Sequence, residues 1–179
     1  MSTYVERALF IVAPRNFGKS TTLRSMFRDH RLGTAGKIPK APKLPDEYRL
    51  GNERRLYLRL TSPHEANESL KEFLTKTKGK MAGGRWCFAG PLHPDAFRRM
   101  PDTVTTIKGF IREFEPERVR VAVLHPNHQQ GDLSDFLPGQ SRELLSELHS
   151  IDERVEVMSI DVRVLDRNGL LLADFFDFT

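Results

Sequence analysis

Ala8-Leu9-Phe10-Ile11-Val12-Ala13-Pro14-Arg15-Asn16-Phe17-Gly18-Lys19-Ser20-Thr21 is the stretch on which the fold turns. Its first five residues are a continuous apolar run of strand formers, the mark of a strand covered on both faces. Ala13 to Gly18 breaks that run. From Lys19 to about His30 the pattern becomes helical, with Leu23, Met26 and Phe27 at helix-like spacing. A strand, a tight loop and a helix therefore follow one another within about thirty residues.

The rest of the chain repeats this alternation. Residues 31–54 hold Gly33, Gly36, Pro39, Pro42 and Pro45, with Lys37, Lys40 and Lys43 three apart. Such a segment cannot be a regular helix and is expected as an exposed basic loop. Leu56 to Leu60 reads as a second strand. Ser62 and Pro63 predict a helix to about Lys78, with Ser62 as N-cap. Trp86 to Ala89 reads as a third strand, Pro94 to Met100 as a short helix, and Thr103 to Glu115 as a longer one. On the longer helix Val104, Ile107, Phe110, Ile111 and Phe114 share one face. Val119 to Leu124 is a fourth strand and Gln140 to Ser150 a helix. Arg154 to Leu165 alternates, Leu170 to Phe178 is strand-like, and Asn168-Gly169 between them signals a hairpin. The expected fold class is α/β: a single domain over residues 1–179, a mostly parallel sheet with helices on both faces, and a C-terminal antiparallel hairpin.

The loop itself has a chemical logic. Ala13 to Thr21 fits A/G-x-x-x-x-G-K-S/T, a spacing that arises by chance in a chain of this composition on the order of one time in a hundred. Main-chain N–H groups of such a loop point inward as a nest for an anion. Gly18 leaves the approach open. Lys19 would reach terminal phosphates, the Ser20 hydroxyl would meet Mg²⁺, Thr21 would touch the inner phosphate, and Arg15 would lie at a phosphate edge.

On these residues the sequence resembles the P-loop NTPase superfamily. Ala13 stands where the commoner first glycine would be. The resemblance implies a nucleoside triphosphate held by Pro14, Arg15, Asn16, Phe17, Gly18, Lys19, Ser20 and Thr21, with Mg²⁺ on Ser20. It implies ATP over GTP, because Asn127-His128-Gln129-Gln130 does not supply the guanine-reading Asn-Lys-x-Asp element. A kinase-like phosphotransferase or an ATPase is the implied activity. One part of the pattern is missing: Ala89 stands where kinases of this superfamily show the acid that orients Mg²⁺. Asp95, Asp161 and Glu65 are the candidates to replace it. His125 and His128, three apart after the fourth strand, are candidates for substrate contact or metal ligation.

Charge and composition bound the alternatives. The net charge is +4, but residues 1–100 hold 20 Lys and Arg against 9 Asp and Glu, while residues 101–179 hold 8 against 15. The basic half could meet an acidic partner or nucleic acid, which makes a nucleotide-binding module with little hydrolysis the alternative reading. The bases are not interleaved with aromatics, so a single-strand stacking platform is not indicated. Cys87 is the one cysteine, which excludes an intrachain disulfide and a multi-cysteine zinc site and fits a cytoplasmic setting. No apolar run reaches membrane-spanning length.

Overall fold

Six strands form one sheet in the order β2-β3-β4-β1-β5-β6, and every neighbouring pair is parallel except β2 with β3. The strands are β1 (Thr3–Val12), β2 (Glu47–Arg49), β3 (Arg54–Leu58), β4 (Gly84–Leu92), β5 (Arg118–Asn127) and β6 (Val155–Val162). The helices are α1 (Lys19–Ser25), α2 (Leu70–Lys80), α3 (Thr103–Phe114), α4 (Pro138–His149) and α5 (Gly169–Phe176). The structure, a computed structural model, describes residues 3–127, 138–164 and 167–178.

β1 is the central strand, flanked by β4 and β5, and Ala8 to Ala13 are fully buried. A strand covered on both faces needs apolar side chains at every position, which is what the unbroken run supplies. β1 begins five residues before that run. Its polar start is possible because buried Glu6 is paired with Arg54 of β3 (2.5 Å) and with Arg85 of β4. A carboxylate is tolerated inside a sheet only with such partners.

Helices cover both faces. On one face the Phe10 ring lies 5.1 Å from Phe110 of α3 and 5.4 Å from Phe88, and Phe73 of α2 packs against both Phe88 and Phe110. Burying each of these rings stabilises the fold by about 2–3 kcal/mol. α3 ends as its sequence suggests, with Asp102 capping Thr105 N–H at 2.8 Å and Glu115 in the left-handed conformation after it. α4 runs beside α3, where Leu144 and Val104 line one groove. Arg120, the register partner of Leu9, donates to the Phe175 carbonyl at 3.1 Å, so α5 lies on the other face. α1 shares that face, since Gly169 of α5 sits against Ser25.

Five sequence expectations are corrected. The C-terminal hairpin is absent: Leu170 to Phe178 is mostly the helix α5, whose buried Leu172, Ala173 and Phe176 follow helical spacing. The antiparallel pair lies at the opposite edge, β2 against β3. α2 starts at Leu70, not near Ser62. Ser69 and Glu72 form a capping box there, with the Ser69 N–H donating to Glu72 Oε2 at 2.7 Å. Pro94 to Met100 is a tight turn closed by a Phe97–Met100 bridge and not a helix. α1 stops at Ser25 and gives way to two 3-10 turns, Met26–Arg28 and His30–Leu32. Residues 31–54 are mainly loop, as expected, but they include β2 and are tied down. Arg24 of α1 donates to the carbonyls of Pro39, Ala41 and Pro42 at 3.1, 2.7 and 2.9 Å.

Candidate functional site

The chain leaves β1 toward α1 on one face and leaves β4 toward α3 on the other. Neighbouring parallel strands whose exits diverge in this way open a crevice at their carboxyl ends, the usual ligand position in such sheets. Residues 13–18 span that crevice. Ala13 N–H donates to the Leu92 carbonyl at 3.3 Å, which sets the loop beside the end of β4. Asn16 (φ 65°) and Gly18 (φ 80°) are both left-handed, and they fold the loop back on itself. Phe17 is buried in the core and anchors the turn, while Arg15 and Asn16 are exposed.

Lys19 is the centre of the site. Its side chain is only 5% exposed and curls back over the loop, donating to the Ala13 carbonyl at 2.8 Å and the Pro14 carbonyl at 2.7 Å. Among the described residues no carboxylate lies within ion-pair distance of Nζ. Burial pulls its pKa down to about 8, and the field of Glu65 opposes that fall. The Ser20 hydroxyl donates to the Leu60 carbonyl at 2.8 Å, joining α1 to the end of β3. Thr22, rather than Thr21, closes the first turn by donating to Gly18 O at 2.9 Å. α1 has seven residues, so its macrodipole adds little beside the buried ammonium and the exposed Arg15 of the same loop.

Two histidines that the sequence did not single out stand beside Lys19. His64 is fully buried. Its Nε2 lies 2.8 Å from the Pro101 carbonyl, and its Nδ1 faces Ser62 Oγ at 3.2 Å and the His93 N–H at 3.4 Å. These partners select the neutral tautomer with hydrogen on Nε2. His93, at the end of β4, has its ring centroid 5.8 Å from that of His64. Burial pushes the His64 pKa down to about 4, and the neighbouring His93 and Lys19 charges push it the same way. Burial also lowers His93. Both residues directly follow apolar strands or their turns, a polar-after-strand signal that is common enough to pass unnoticed.

An acid-stability prediction follows for His64. Its folded pKa of about 4 lies below the unfolded 6.5, so the unfolded chain binds the extra proton first as pH falls. Stability falls as pH drops from about 6.5 to about 4, by up to roughly 3 kcal/mol. Denaturant midpoints of wild type and His64→Gln across pH 4–7 should show a clearly steeper slope in the wild type, the variant keeping only the smaller contribution of groups such as His93. Equal slopes would assign the acid sensitivity elsewhere.

The candidate acids are not gathered at one point. Glu65 acts electrostatically on Lys19 and His93, and its backbone carbonyl accepts from Arg98 Nη1 at 3.2 Å. Arg98 is held left-handed there, at φ 57°. Asp95 N–H donates to His93 Nδ1 at 3.3 Å, and the residue lines a groove toward α4 with Asp102, Glu143 and Glu147. Asp161 lies on β6, two strands from β1 and so about 10 Å away. The Arg163 guanidinium on its carboxylate, at 2.5 Å, holds its pKa below the usual range. Ala89 is fully buried inside β4. Glu65 is therefore the acid coupled to Lys19, ahead of Asp95 and Asp161. The His125 carbonyl accepts from Ser159 Oγ, on the β6 side of the sheet. His128 lies outside the described residues.

Many cations of the basic half are matched internally. Arg54 and Arg85 hold Glu6, Arg59 and Lys76 hold Glu68, Lys78 holds Glu113, Lys80 holds Asp46 and Arg99 holds Glu72. Arg55 lies over Trp86 at 4.0 Å. Lys37, Lys40 and Lys43 on the loop make no ion pair among the described residues. Among those residues no helix is long and apolar enough to cross a membrane, and no cluster of three or more His, Cys, Asp or Glu side chains forms a metal-binding group. No protein-family model matches the sequence, and no curated protein or solved structure matches it.

Proposed function

We propose that residues 13–21 bind the phosphates of a nucleoside triphosphate, ATP in preference to GTP, and that the protein is a small phosphotransferase or ATPase. One observation carries this reading. Lys19 is a buried ammonium with no carboxylate within ion-pair distance among the described residues, held at the mouth of the crevice by two carbonyls of its own loop. A buried cation is costly unless something supplies negative charge, and a bound polyphosphate would supply it. The strand order, with the loop on the central strand at the point where the exits diverge, supports the same reading.

The residues present also fit Mg²⁺. The Ser20 hydroxyl keeps its oxygen lone pairs while donating to Leu60, and Glu65 is the carboxylate of the site. Bound there, Mg²⁺ would neutralise charge building on the phosphates. Lys19 would turn from the Ala13 and Pro14 carbonyls to the phosphate oxygens. Glu65 would orient the metal's water shell, and neutral His64 would keep the 62–65 turn against β4 and α3.

A second reading is favoured by one feature. β4 brings buried Ala89, and no acid, to the place beside β1. A nucleotide-binding module with little hydrolysis, docking a protein or nucleic acid through Lys37, Lys40 and Lys43, accommodates that. Titration with Mg·ATP and Mg·GTP, with phosphate release followed on the same sample, separates the two readings. The enzyme reading expects ATP binding with turnover, and a drop in turnover of at least tenfold in Glu65→Gln with binding retained. Binding without turnover, together with strongly salt-dependent binding of a nucleic acid, selects the module. Absence of nucleotide binding overturns both.

A further inference from the structure

Beside the phosphate loop, a cavity of about 470 Å³ opens at the carboxyl end of β3. One wall is residues 42–46 of the Arg24-bound loop, the other is Tyr57 to Thr61, and Lys80 at the end of α2 completes it. The volume lies within the range that small-molecule sites occupy. Three cations and one carboxylate line it: Lys43, Arg59, Lys80 and Asp46. Two of the cations are matched, Lys80 by Asp46 and Arg59 by Glu68, each at 2.8 Å. Lys43 has no ion-pair partner among the described residues.

Tyr57 adds the second uncommitted group. The residue is only 7% exposed and lines the cavity, and its hydroxyl makes no hydrogen bond to another described residue. Arg59, Asp46, Lys80 and Glu68 all act on that hydroxyl, and burial pushes its pKa up, so it remains a donor at neutral pH. Around these two groups the lining is Leu44, Leu58, Leu60 and proline. A hydrogen-bond donor and a cation facing apolar walls match a small ligand with an anionic head and an apolar body. The cavity also borders the phosphate loop, because Leu60, which lines it, accepts the hydrogen bond of Ser20.

We propose that this cavity is a second-ligand site for a small organic carboxylate or phosphate ester with an apolar body, its anionic head met by Lys43 and the Tyr57 hydroxyl. That the two ligands meet at the border rests on the nucleotide reading above; binding in the cavity does not.

The test is a chemical-shift titration of the full chain with phenyl phosphate, benzoate and neutral benzyl alcohol. Saturable shifts of the amides at 43–46 and 57–61 with at least one anion, and binding of benzyl alcohol at least tenfold weaker, are expected. Lys43→Ala and Tyr57→Phe should each weaken the anion by about tenfold, while Lys19→Met leaves its affinity within twofold. Lys43 is exposed and Tyr57→Phe is nearly isosteric, so both variants should keep the fold. Shifts confined to 13–21 and lost in Lys19→Met would place the probe on the phosphate loop and overturn the proposal. So would equal binding of the neutral alcohol, indifference to both cavity substitutions, or no saturable shift. Failure of ATP to bind wild type, with the anion still bound in the cavity, would instead remove only the nucleotide reading.

Discussion

Replacing Lys19 with Met should abolish nucleotide binding and leave the fold intact or more stable. The Lys19 ammonium is the buried charge that a polyphosphate would meet, so its loss should weaken ATP by at least about 100-fold, or ~2.7 kcal/mol. Stability should move the other way. The folded pKa is about 8, against 10.5 for an ordinary lysine, so folding disfavours the charged form. Between those values the unfolded chain holds a proton that the folded chain releases, and stability rises with pH through the window. Below pH 8 the penalty is fully present, at up to ~3 kcal/mol, partly offset by the bonds to Ala13 and Pro14. Melting curves at pH 7 and pH 10 check this: Met should match or exceed wild type at pH 7, with the difference shrinking at pH 10. A bound phosphate restores the ammonium, so ATP binding near pH 8.5 should take up a proton, readable by calorimetry in buffers of different ionisation heat. A fall in melting temperature with unchanged ATP affinity would make Lys19 a structural pin.

The second large effect concerns Gly169. A Cβ at this position would lie 1.9 Å from the Ser25 carbonyl oxygen and 2.4 Å from its carbon. The obstacle is backbone at the end of α1, which cannot swing aside as a side chain would. Gly169→Ala should therefore push α5 off α1 and destabilise the protein by about 3 kcal/mol or more, beyond ordinary overpacking. Chemical denaturation of Gly169→Ala, with Gly79→Ala as a control, measures it. A Cβ at Gly79 meets nothing within 4 Å, and alanine suits a helix interior better. Near-equal midpoints for the two variants would mean that α5 does not pack as closely as described.

Gly169 also shows where the sequence is hard to read. Asn168-Gly169 before an apolar stretch resembles a hairpin turn, because the dipeptide is favoured by that turn geometry. Here the glycine is needed for a contact with a residue 144 positions earlier, and local pattern contains no trace of it. Leu170 to Phe176 is also apolar on most sides, which removes the periodicity that separates helix from strand. α3 was legible for the opposite reason: its apolar stripe repeats at helical spacing, and Ile107, Phe110, Ile111 and Phe114 of that stripe are the buried face. β1 and the loop after it were legible because a central parallel strand and a glycine-lysine turn each leave a local signature. Ser62 drew the start of α2 too early. Its hydroxyl faces His64 Nδ1, and the box at Ser69 and Glu72 was also present to be read. His64 and His93 could not be paired from sequence, since they meet only once β3 and β4 lie side by side and Pro101 returns to cover them.

The three bonds from Arg24 to Pro39, Ala41 and Pro42 come from one guanidinium. They therefore act as a single fastening with a cooperative release. Moving that part of the loop away from α1 by a few ångströms breaks all three bonds, whereas small displacements break none. Since α1 begins at Lys19, the helix that follows the 13–18 loop also determines whether the wall of the neighbouring cavity is in place. The two compartments share one latch five residues from the buried ammonium.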